Sequence, residues 1–266
     1  MKNRWITARG RVLRPRLRLY CFPYAGRGAS MYASWYNAFG SDVEVCPVQL
    51  PGREDRLGEP SARRIDPLVD SFLADVGKEL TTPFVFFGHS MGGVIAYEIA
   101  RRLEASGARG PEMLFVSASE PPHLPKDGNK VYALPDDRLV EELRSWNGTA
   151  EQVFSDPALL NILLPIIRAD LEMLDHFSVT PADSRLDCRI VAFGGTRDRD
   201  MKRHDLMKWS DLTNEQFDLH MIEGDHFFIN SNPPRMRAIL TAELARLRPR
   251  NAITARLRTA AGGGAP

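Results

Sequence analysis

The chain of 266 residues has room for one large α/β domain or two small ones, and a domain of that size buries a sizeable core without a disulfide or structural metal. Its 43% hydrophobic and 26% charged residues are typical of a globular protein. The formal net charge of +1 gives no reason to expect nucleic acid or a membrane as the main partner.

The N-terminal segment, residues 1–16, is basic and lacks the apolar core of a signal peptide. No stretch of the chain reaches the ~20 apolar residues of a transmembrane helix, so we expect a cytoplasmic protein. The basic segment has no periodicity, which favours a mobile arm. Cys21, Cys46 and Cys188 form no C-x-x-C pair and lie in or beside apolar runs, so they are predicted to be small buried hydrophobes.

Strands and helices alternate along most of the chain. In chain order, the apolar patterns predict a strand at 17–22, a helix at 30–39, a strand at 43–48, a helix at 66–80, a strand at 84–87, a helix at 94–103, strands at 113–116, 189–193 and 217–222, and a helix at 235–247. This alternation indicates a mostly parallel central sheet flanked by helices on both faces, an α/β domain over residues 17–248.

Two segments depart from the alternation. Residues 121–185 show no convincing strand, only helical patterns at 136–146 and 157–177, and we predict a helical lid inserted into the sheet domain. We name residues 121–185 the lid segment. Residues 249–266 carry too little apolar material to pack, so we expect a disordered tail.

The sequence Gly-His-Ser-Met-Gly at 88–92 matches the G-x-S-x-G pattern of a nucleophile elbow. A predicted strand precedes it and a predicted helix follows, which is the context of an elbow in the α/β-hydrolase fold. The sharp turn strains the serine backbone, and the flanking glycines remove side chains that would clash. We therefore predict Ser90 as a nucleophile exposed above a helix N-terminus, where negative charge is favoured.

A serine hydroxyl needs a base to take its proton, and in this fold the chain order is Ser, then an acid, then His. His226 lies in a loop between a predicted strand and the closing helix, so it is the predicted general base. The other histidines are predicted to be surface or structural residues: His89, His123, His176, His204 and His220. His89 stands beside the nucleophile but should point away from it.

The acid that orients the base should also follow a strand. Asp198 lies in the exit loop of the strand predicted at 189–193 and is the preferred candidate, while Asp200 and Glu120 remain alternatives. An oxyanion hole needs two backbone N–H donors. Met91, directly after the nucleophile, and Ala25, in the loop after the first strand, are the candidates.

At this point several segments resemble a known family, the type II thioesterases that accompany polyketide synthases and nonribosomal peptide synthetases. The resemblance covers residues 19–247 and rests on these segments: CFPYAG at 21–26, QLPGREDR at 49–56, GHSMG at 88–92, AYE at 96–98, LP at 164–165, RAD at 168–170, Gly195-x-x-Asp198, and GDHFF at 224–228. The LPGR and RAD segments are the most specific, because general hydrolase chemistry does not require them. Arg27 and Gly93 depart from the pattern, which has glycine and alanine there.

The resemblance implies a triad of Ser90, Asp198 and His226, oxyanion donors at Ala25 and Met91, a helical lid, and no metal or organic cofactor. It implies hydrolysis of acyl or aminoacyl thioesters on the phosphopantetheine arm of a carrier protein, which removes stalled or aberrant groups. The carrier protein is the expected partner, and a monomer is the expected state. A carboxylesterase or lipase-like enzyme with the same triad is the main alternative.

Two further alternatives are a silent hydrolase fold used as a binding module and a product-releasing thioesterase that also cyclises. Carrier proteins are acidic around the arm, so a basic surface near the lid segment would assist the encounter. The arginines expected to contribute are Arg27, Arg53, Arg56, Arg63 and Arg64.

Overall fold

The computed structural model describes residues 4–6, 12–126, 128–148, 151–179 and 184–247, and a six-stranded sheet lies at its centre. The tail predicted at 249–266 lies outside these residues. The strands are β1 (Leu17–Phe22), β2 (Val43–Pro47), β3 (Phe84–His89), β4 (Met113–Ser117), β5 (Arg189–Gly195) and β6 (Phe217–Ile222). Their order is β2-β1-β3-β4-β5-β6, and all neighbouring pairs are parallel. Every predicted strand is confirmed.

Helices connect the strands and cover both faces of the sheet. The α-helices are α1 (Ile65–Val76), α2 (Met91–Ala105), α3 (Asp136–Trp146), α4 (Glu151–Phe154), α5 (Pro157–Asp175), α6 (Arg203–Met207), α7 (Phe228–Ser231) and α8 (Pro233–Arg246). Shorter 3₁₀ helices span Ala29–Trp35, Glu54–Arg56, Gly77–Glu79, Val131–Ala133 and Lys208–Leu212. The alternation read from the sequence is therefore the α/β fold that was predicted.

The apolar run of β3 is buried on both faces, as a central parallel strand requires. Phe84 and Phe86 pack with α1 and α2 in one core cluster, whereas Val85 and Phe87 pack with α8 in the other. Burying one such phenylalanine contributes roughly 1.5–3 kcal/mol. Two cores hold β3 between them, and the nucleophile candidate stands directly at its end.

The N-terminal segment corrects one expectation. Trp5 is only 1% exposed, packs edge-on against Phe72 with ring centroids 5.3 Å apart, and donates from its indole to Asp75 at 3.0 Å. The guanidinium of Arg56 lies 4.4 Å from the indole centroid, and Ile6 forms an antiparallel bridge to Val48. The prediction of a mobile arm is therefore wrong for residues 4–6, because the Trp5 side chain anchors them to the core.

The helix predicted at 30–39 is shorter and tighter than its spacing suggests. It is a 3₁₀ helix that ends at Trp35, and Asn37 then adopts a left-handed backbone with φ of 69°. Asn tolerates this region better than most residues, so the chain turns there toward β2. The apolar spacing instead places Tyr32, Trp35 and Phe39 in the core.

The lid segment holds α3, α4 and α5 between β4 and β5, and its described residues include no strand of the sheet. Asp156 caps α5 by accepting from the backbone N–H groups of Ala158 and Leu159, and Pro157 occupies the first turn, as a helix start favours. These helices share a small apolar cluster of Leu139, Leu143, Phe154, Leu164 and Ile167. The three cysteines are buried, as predicted, and burial raises the pKa of the Cys21 thiol well above its usual range.

Candidate active site

The elbow at Ser90 depends on very close backbone packing. A Cβ added to Gly88 would lie 2.1 Å from the backbone of Gly92, and one added to Gly92 would lie 2.1 Å from the carbonyl oxygen of Phe22. Such contacts exclude any side chain at either position. They also bring the ends of β1 and β3 against the start of α2.

Ser90 itself has the strained backbone that the elbow predicts, with φ of 51° and ψ of −120°. It is the N-cap of α2, yet its side chain makes no capping hydrogen bond, so the hydroxyl is not consumed in holding the helix. Met91 is the first helical residue, and its N–H therefore has no partner within the helix. The predicted nucleophile and the predicted oxyanion donor Met91 are thus adjacent and both available.

The departure at Gly93 has a packing reason. A Cβ at Gly93 would lie 2.5 Å from the hydroxyl oxygen of Ser119, whose own side chain fills the space beside the first turn of α2. Ser119 is buried. The glycine therefore accommodates a neighbour from the loop after β4.

His226 and Asp198 are paired. His226 Nδ1 lies 2.9 Å from Asp198 Oδ2, and the Asp198 side chain is fully buried. The other oxygen of this carboxylate accepts from the backbone N–H groups of Asp200 and Met201, each at 3.0 Å. These bonds hold the carboxylate in one orientation, so the paired imidazole turns its Nε2 away from the acid.

The alternative acids do not reach the histidine. The Glu120 side chain is 40% exposed and pairs with Lys126 at 3.0 Å, while Asp200 is exposed and contributes its backbone N–H to Asp198. His204 and Asp205 pair on the surface, and His123 lies near Asp211. The geometry favours Asp198 among the candidates.

His89 has a neighbour that the sequence did not reveal. Its Nδ1 lies 2.9 Å from the hydroxyl oxygen of Ser117, and its ring meets the ring of His226 edge-on with centroids 5.6 Å apart. Burial lowers the pKa of His89 well below its usual range, and the nearby His226 lowers it further. Both effects favour the neutral form of His89, and the ring of the predicted base packs against it.

Aromatic rings complete the surroundings of the predicted base. Phe227 packs edge-on against His226 and against Tyr24, with ring centroids 5.0 Å apart in both pairs. Tyr24 lies beside Ala25 in the loop after β1, and its hydroxyl accepts from the Asn230 amide at 3.3 Å. Sequence reasoning assigned no role to Tyr24 or Phe227, although both belong to the segments that carry the resemblance.

A cavity of about 510 Å³ brings these residues together, since Ser90, His226 and Ala25 all line it. Its apolar lining comes largely from the lid segment: Val131, Leu143, Trp146, Ile167, Leu171 and Leu174. An adjoining groove of about 310 Å³ shares Tyr24, Ala25, Gly148 and Ile167 with the cavity. The groove carries the exposed apolar side chains of Leu57, Leu159 and Ile162.

The proposed basic surface needs correction. Arg53 is 3% exposed and Arg56 is 6% exposed, and each is paired with an acid, Asp170 and Glu59 respectively. Neither contributes to a surface patch, because a buried guanidinium requires a partner and each of these is bound to an acid. The remaining three, Arg27, Arg63 and Arg64, lie on the surface.

Within the described ranges, no group of three or more His, Cys, Asp or Glu residues could hold a metal ion. The same residues include no helix that is long and apolar enough to cross a membrane. The cavity thus has the Ser90 hydroxyl and the His226 imidazole, which is paired with Asp198, on a lining that is partly polar and partly apolar.

The parallel sheet and the elbow at the end of β3 define an α/β-hydrolase. A model of the thioesterase domain matches residues 17–243, and the chain belongs to this thioesterase family. It is therefore a hydrolase that acts on thioesters.

Individual relatives show which kinds of thioesterase this chain resembles. The gramicidin S biosynthesis protein GrsT of Aneurinibacillus migulanus is 36% identical, over 91% of this chain and 94% of that protein. The structure of the type II thioesterase BorB from the borrelidin biosynthetic cluster superposes with a TM-score of 0.82 at 34% identity, covering 92% of this chain and 99% of BorB. RedJ, from the prodiginine pathway of Streptomyces coelicolor, gives 0.81 at 36% identity, covering 86% and 91%.

Proposed function

We propose that the protein hydrolyses acyl or aminoacyl thioesters on the phosphopantetheine arm of carrier proteins, and so removes stalled or aberrant groups during polyketide or nonribosomal peptide synthesis. The observation that carries the proposal is the elbow serine Ser90 on one cavity with the Asp198-bound imidazole of His226. Membership of the thioesterase family and similarity to type II thioesterases of biosynthetic clusters support the substrate class.

The reaction begins with the attack of Ser90 Oγ on the thioester carbonyl. His226 takes the hydroxyl proton at Nε2, because its Nδ1 is bound to Asp198. The carbonyl oxygen becomes an oxyanion, which the backbone N–H groups of Ala25 and Met91 stabilise. Asp198 stabilises the imidazolium that forms.

The tetrahedral intermediate then collapses. The C–S bond breaks, the thiol leaves with the proton returned by His226, and the acyl group remains as an ester on Ser90. His226 next takes a proton from water, whose oxygen attacks the ester carbonyl. The second intermediate releases the carboxylic acid and restores the Ser90 hydroxyl, so no cofactor is consumed.

The two hollows suit the two parts of such a substrate. The cavity is lined by apolar lid residues such as Leu143 and Leu171, which suits an acyl chain. The groove meets the cavity at Ala25, the proposed oxyanion donor, and offers a route for a thiol-bearing arm. In this proposal the lid segment determines which acyl groups fit.

We further propose that the chain works as a monomer in the cytoplasm, where carrier-bound intermediates are made. The chain mass is 29.9 kDa, so light scattering at working concentration should give about that value. A mass twice as large would show that the protein is a dimer and would contradict the proposed monomer.

The proposal is tested by single-turnover hydrolysis of acetyl- and longer acyl-phosphopantetheinyl carrier protein beside matched oxygen esters. Wild type should cleave the thioesters rapidly and the esters more slowly. Ser90→Ala should lower the rate by about 10⁴- to 10⁶-fold, because the nucleophile is lost while the binding surface stays intact.

Ser106→Ala is the matched control, since Ser106 lies at the other end of α2 and its hydroxyl only donates to the carbonyl of Leu103. It should retain wild-type turnover. Rapid ester turnover with no response to carrier-bound substrate would contradict the proposed substrate and indicate a carboxylesterase. If Ser90→Ala kept both the thioesterase and the esterase activity, Ser90 could not be the nucleophile.

A further inference from the structure

A buried ion pair joins the two segments that hydrolase chemistry does not require, LPGR and RAD. Arg53 follows β2, and its guanidinium binds the carboxylate of Asp170 on α5 through two bonds, Nη1 to Oδ2 at 2.6 Å and Nη2 to Oδ1 at 2.8 Å. The two side chains are 4% and 1% exposed. A bidentate pair this deeply buried fixes the relative position of the lid helix and the loop after β2.

The same carboxylate also holds the loop after β1. Asp170 Oδ2 accepts from the backbone N–H of Gly26 at 2.8 Å. Gly26 has φ of 76° at the third position of a turn that the N–H of Arg27 closes on the carbonyl of Tyr24 at 3.0 Å. A positive φ at this position of a turn favours glycine. Asp170 therefore holds the backbone N–H of the residue where the loop turns most sharply.

A second contact confirms that α5 and this loop are fitted to each other. A Cβ at Gly26 would lie 2.7 Å from Cγ1 of Ile167, three residues before Asp170 and on the same face of α5. Arg53 also donates to the carbonyl of Arg27 at 3.3 Å, on the other side of the turn. The loop is held from both sides, and neither bond uses the N–H of Ala25.

We propose that Arg53 and Asp170 are positioning residues that aim the Ala25 N–H at the oxyanion. Because Ala25 and Gly26 share a peptide bond, fixing the Gly26 N–H fixes the plane next to the donor. The inference rests on the proposed function insofar as that function assigns Ala25 as a donor. It also explains the chemistry of the pair: a buried ion pair is a poor source of stability compared with apolar residues, but it provides directional bonds.

The first variant is Asp170→Asn, which removes the charge and one of the two acceptor oxygens. Since a donor misplaced by about 1 Å can cost 10²-fold, kcat should fall by about 10²-fold with KM changed by less than about threefold. The substrate is a simple oxygen ester, so the result does not depend on whether carrier proteins are the natural partners. Arg53→Lys keeps a positive charge beside Asp170 and leaves the Gly26 bond in place but loses the bidentate geometry, so its kcat should fall less than that of Asp170→Asn.

A transition-state probe separates positioning from general damage. An alkyl boronic acid forms a tetrahedral adduct with Ser90 that places an oxygen in the oxyanion hole. Its affinity should fall in Asp170→Asn by the same factor as kcat/KM, because both depend on the same donor. A variant that loses kcat but binds the boronic acid like wild type would overturn the proposal.

Asp170→Asn leaves Arg53 without its buried partner, which can prevent folding. The double variant Arg53→Met/Asp170→Leu removes both charges, restores apolar packing and still lacks the acceptor for Gly26. It should fold, as judged by circular dichroism, and show the same loss of kcat. Glu243→Gln is the matched control: Glu243 is 5% exposed and paired with Arg189 at 2.7 Å, outside the cavity lining. A folded double variant with wild-type kcat, or an equal loss in Glu243→Gln, would refute the positioning role.

Discussion

The elbow and the lid segment both line the cavity that contains Ser90 and His226, but they are held in place in different ways. The elbow is held by backbone contacts so close that no side chain fits at Gly88 or Gly92. In the lid segment, α3, α4 and the first half of α5 pack around a small apolar cluster of their own, and Leu159 and Ile162 remain substantially exposed. The predicted nucleophile therefore lies on tightly packed backbone, whereas much of the apolar cavity lining lies on side chains of the lid segment.

This difference suggests two units of unequal stability. The elbow shares the extensive sheet cores, so it should open only when the whole domain unfolds. Within the lid segment, α5 is tied to the sheet domain by Met173 in the sheet core and by the Arg53–Asp170 pair. The helices α3 and α4 bury only Leu139, Leu143 and Phe154, so this part should open locally at lower cost. Trp5→Ala and Leu139→Ala test these expectations on the sheet side and the lid side, and His89→Asn examines the elbow alone.

The largest effect is expected for Trp5→Ala, which removes an anchor of the sheet side. Trp5 is buried and packs on Phe72, so truncation should lower the free energy of unfolding by about 3–5 kcal/mol. Urea denaturation should show one transition at lower concentration with an unchanged slope. Leu13→Ala in the same N-terminal region is the control, because Leu13 is fully exposed, and it should change stability by less than about 0.5 kcal/mol. A Trp5 variant as stable as this control would show that residues 4–6 do not anchor the core.

A smaller and local effect is expected for Leu139→Ala in the lid segment. Leu139 is fully buried in the lid cluster, so the cost is roughly 2–5 kcal/mol, confined to the lid helices. Amide hydrogen exchange should accelerate in α3 and α4 and stay unchanged in α2. Leu159→Ala, where the leucine is 45% exposed, is the matched control and should leave exchange close to wild type. Equal acceleration in α2 would contradict the idea of two units.

The smallest effect concerns pH and the elbow. His89 is buried and its pKa is lowered in the native state, so it stays neutral where the unfolded chain binds a proton, below about pH 6.5. The unfolded state then holds more protons, and stability must fall as pH falls, by at most about 1.4 kcal/mol per pH unit for this group. His89→Asn, which keeps a polar atom near Ser117, should show a shallower decline between pH 6.5 and 5.

The comparison with wild type cancels other groups that titrate in this range, including His123, whose pKa burial also lowers. His204→Gln is the control, because that side chain is 75% exposed. It should follow the wild-type decline. An unchanged decline in His89→Asn would mean that the elbow histidine does not contribute to acid sensitivity.

Much of this architecture could be predicted from local patterns. The apolar runs gave all six strands, and the elbow glycines gave the nucleophile candidate, since both depend on residues close together in sequence. The pairing of His226 with Asp198 could be anticipated because parallel strands end at one edge of the sheet. The aromatic contacts of Tyr24 and the ring contact of His89 could not, because no spacing rule connects such distant positions.

Arg53 and Arg56 show most clearly what the sequence alone cannot predict. Arg53 and Arg56 were placed on the surface because charged side chains are usually exposed. In the structure both are buried against acidic partners, and the partner of Arg53, Asp170, lies 117 residues away along the chain. Trp5 was missed for the opposite reason: one aromatic residue in a basic segment produces no periodic signal, although a single large ring can secure it.

The sheet order also determines what a refolding experiment on this protein would measure. The first four strands of the chain carry Ser90, and the last two are followed by Asp198 and His226, with the lid segment inserted between the two groups. Because β6 pairs with β5, any register of β5 other than the native one would displace the predicted acid Asp198 and the predicted base His226 together. Recovered activity should therefore require two pairings, β5 with β4 and β6 with β5, and a chain that has formed only its first four strands should be partly folded but inactive.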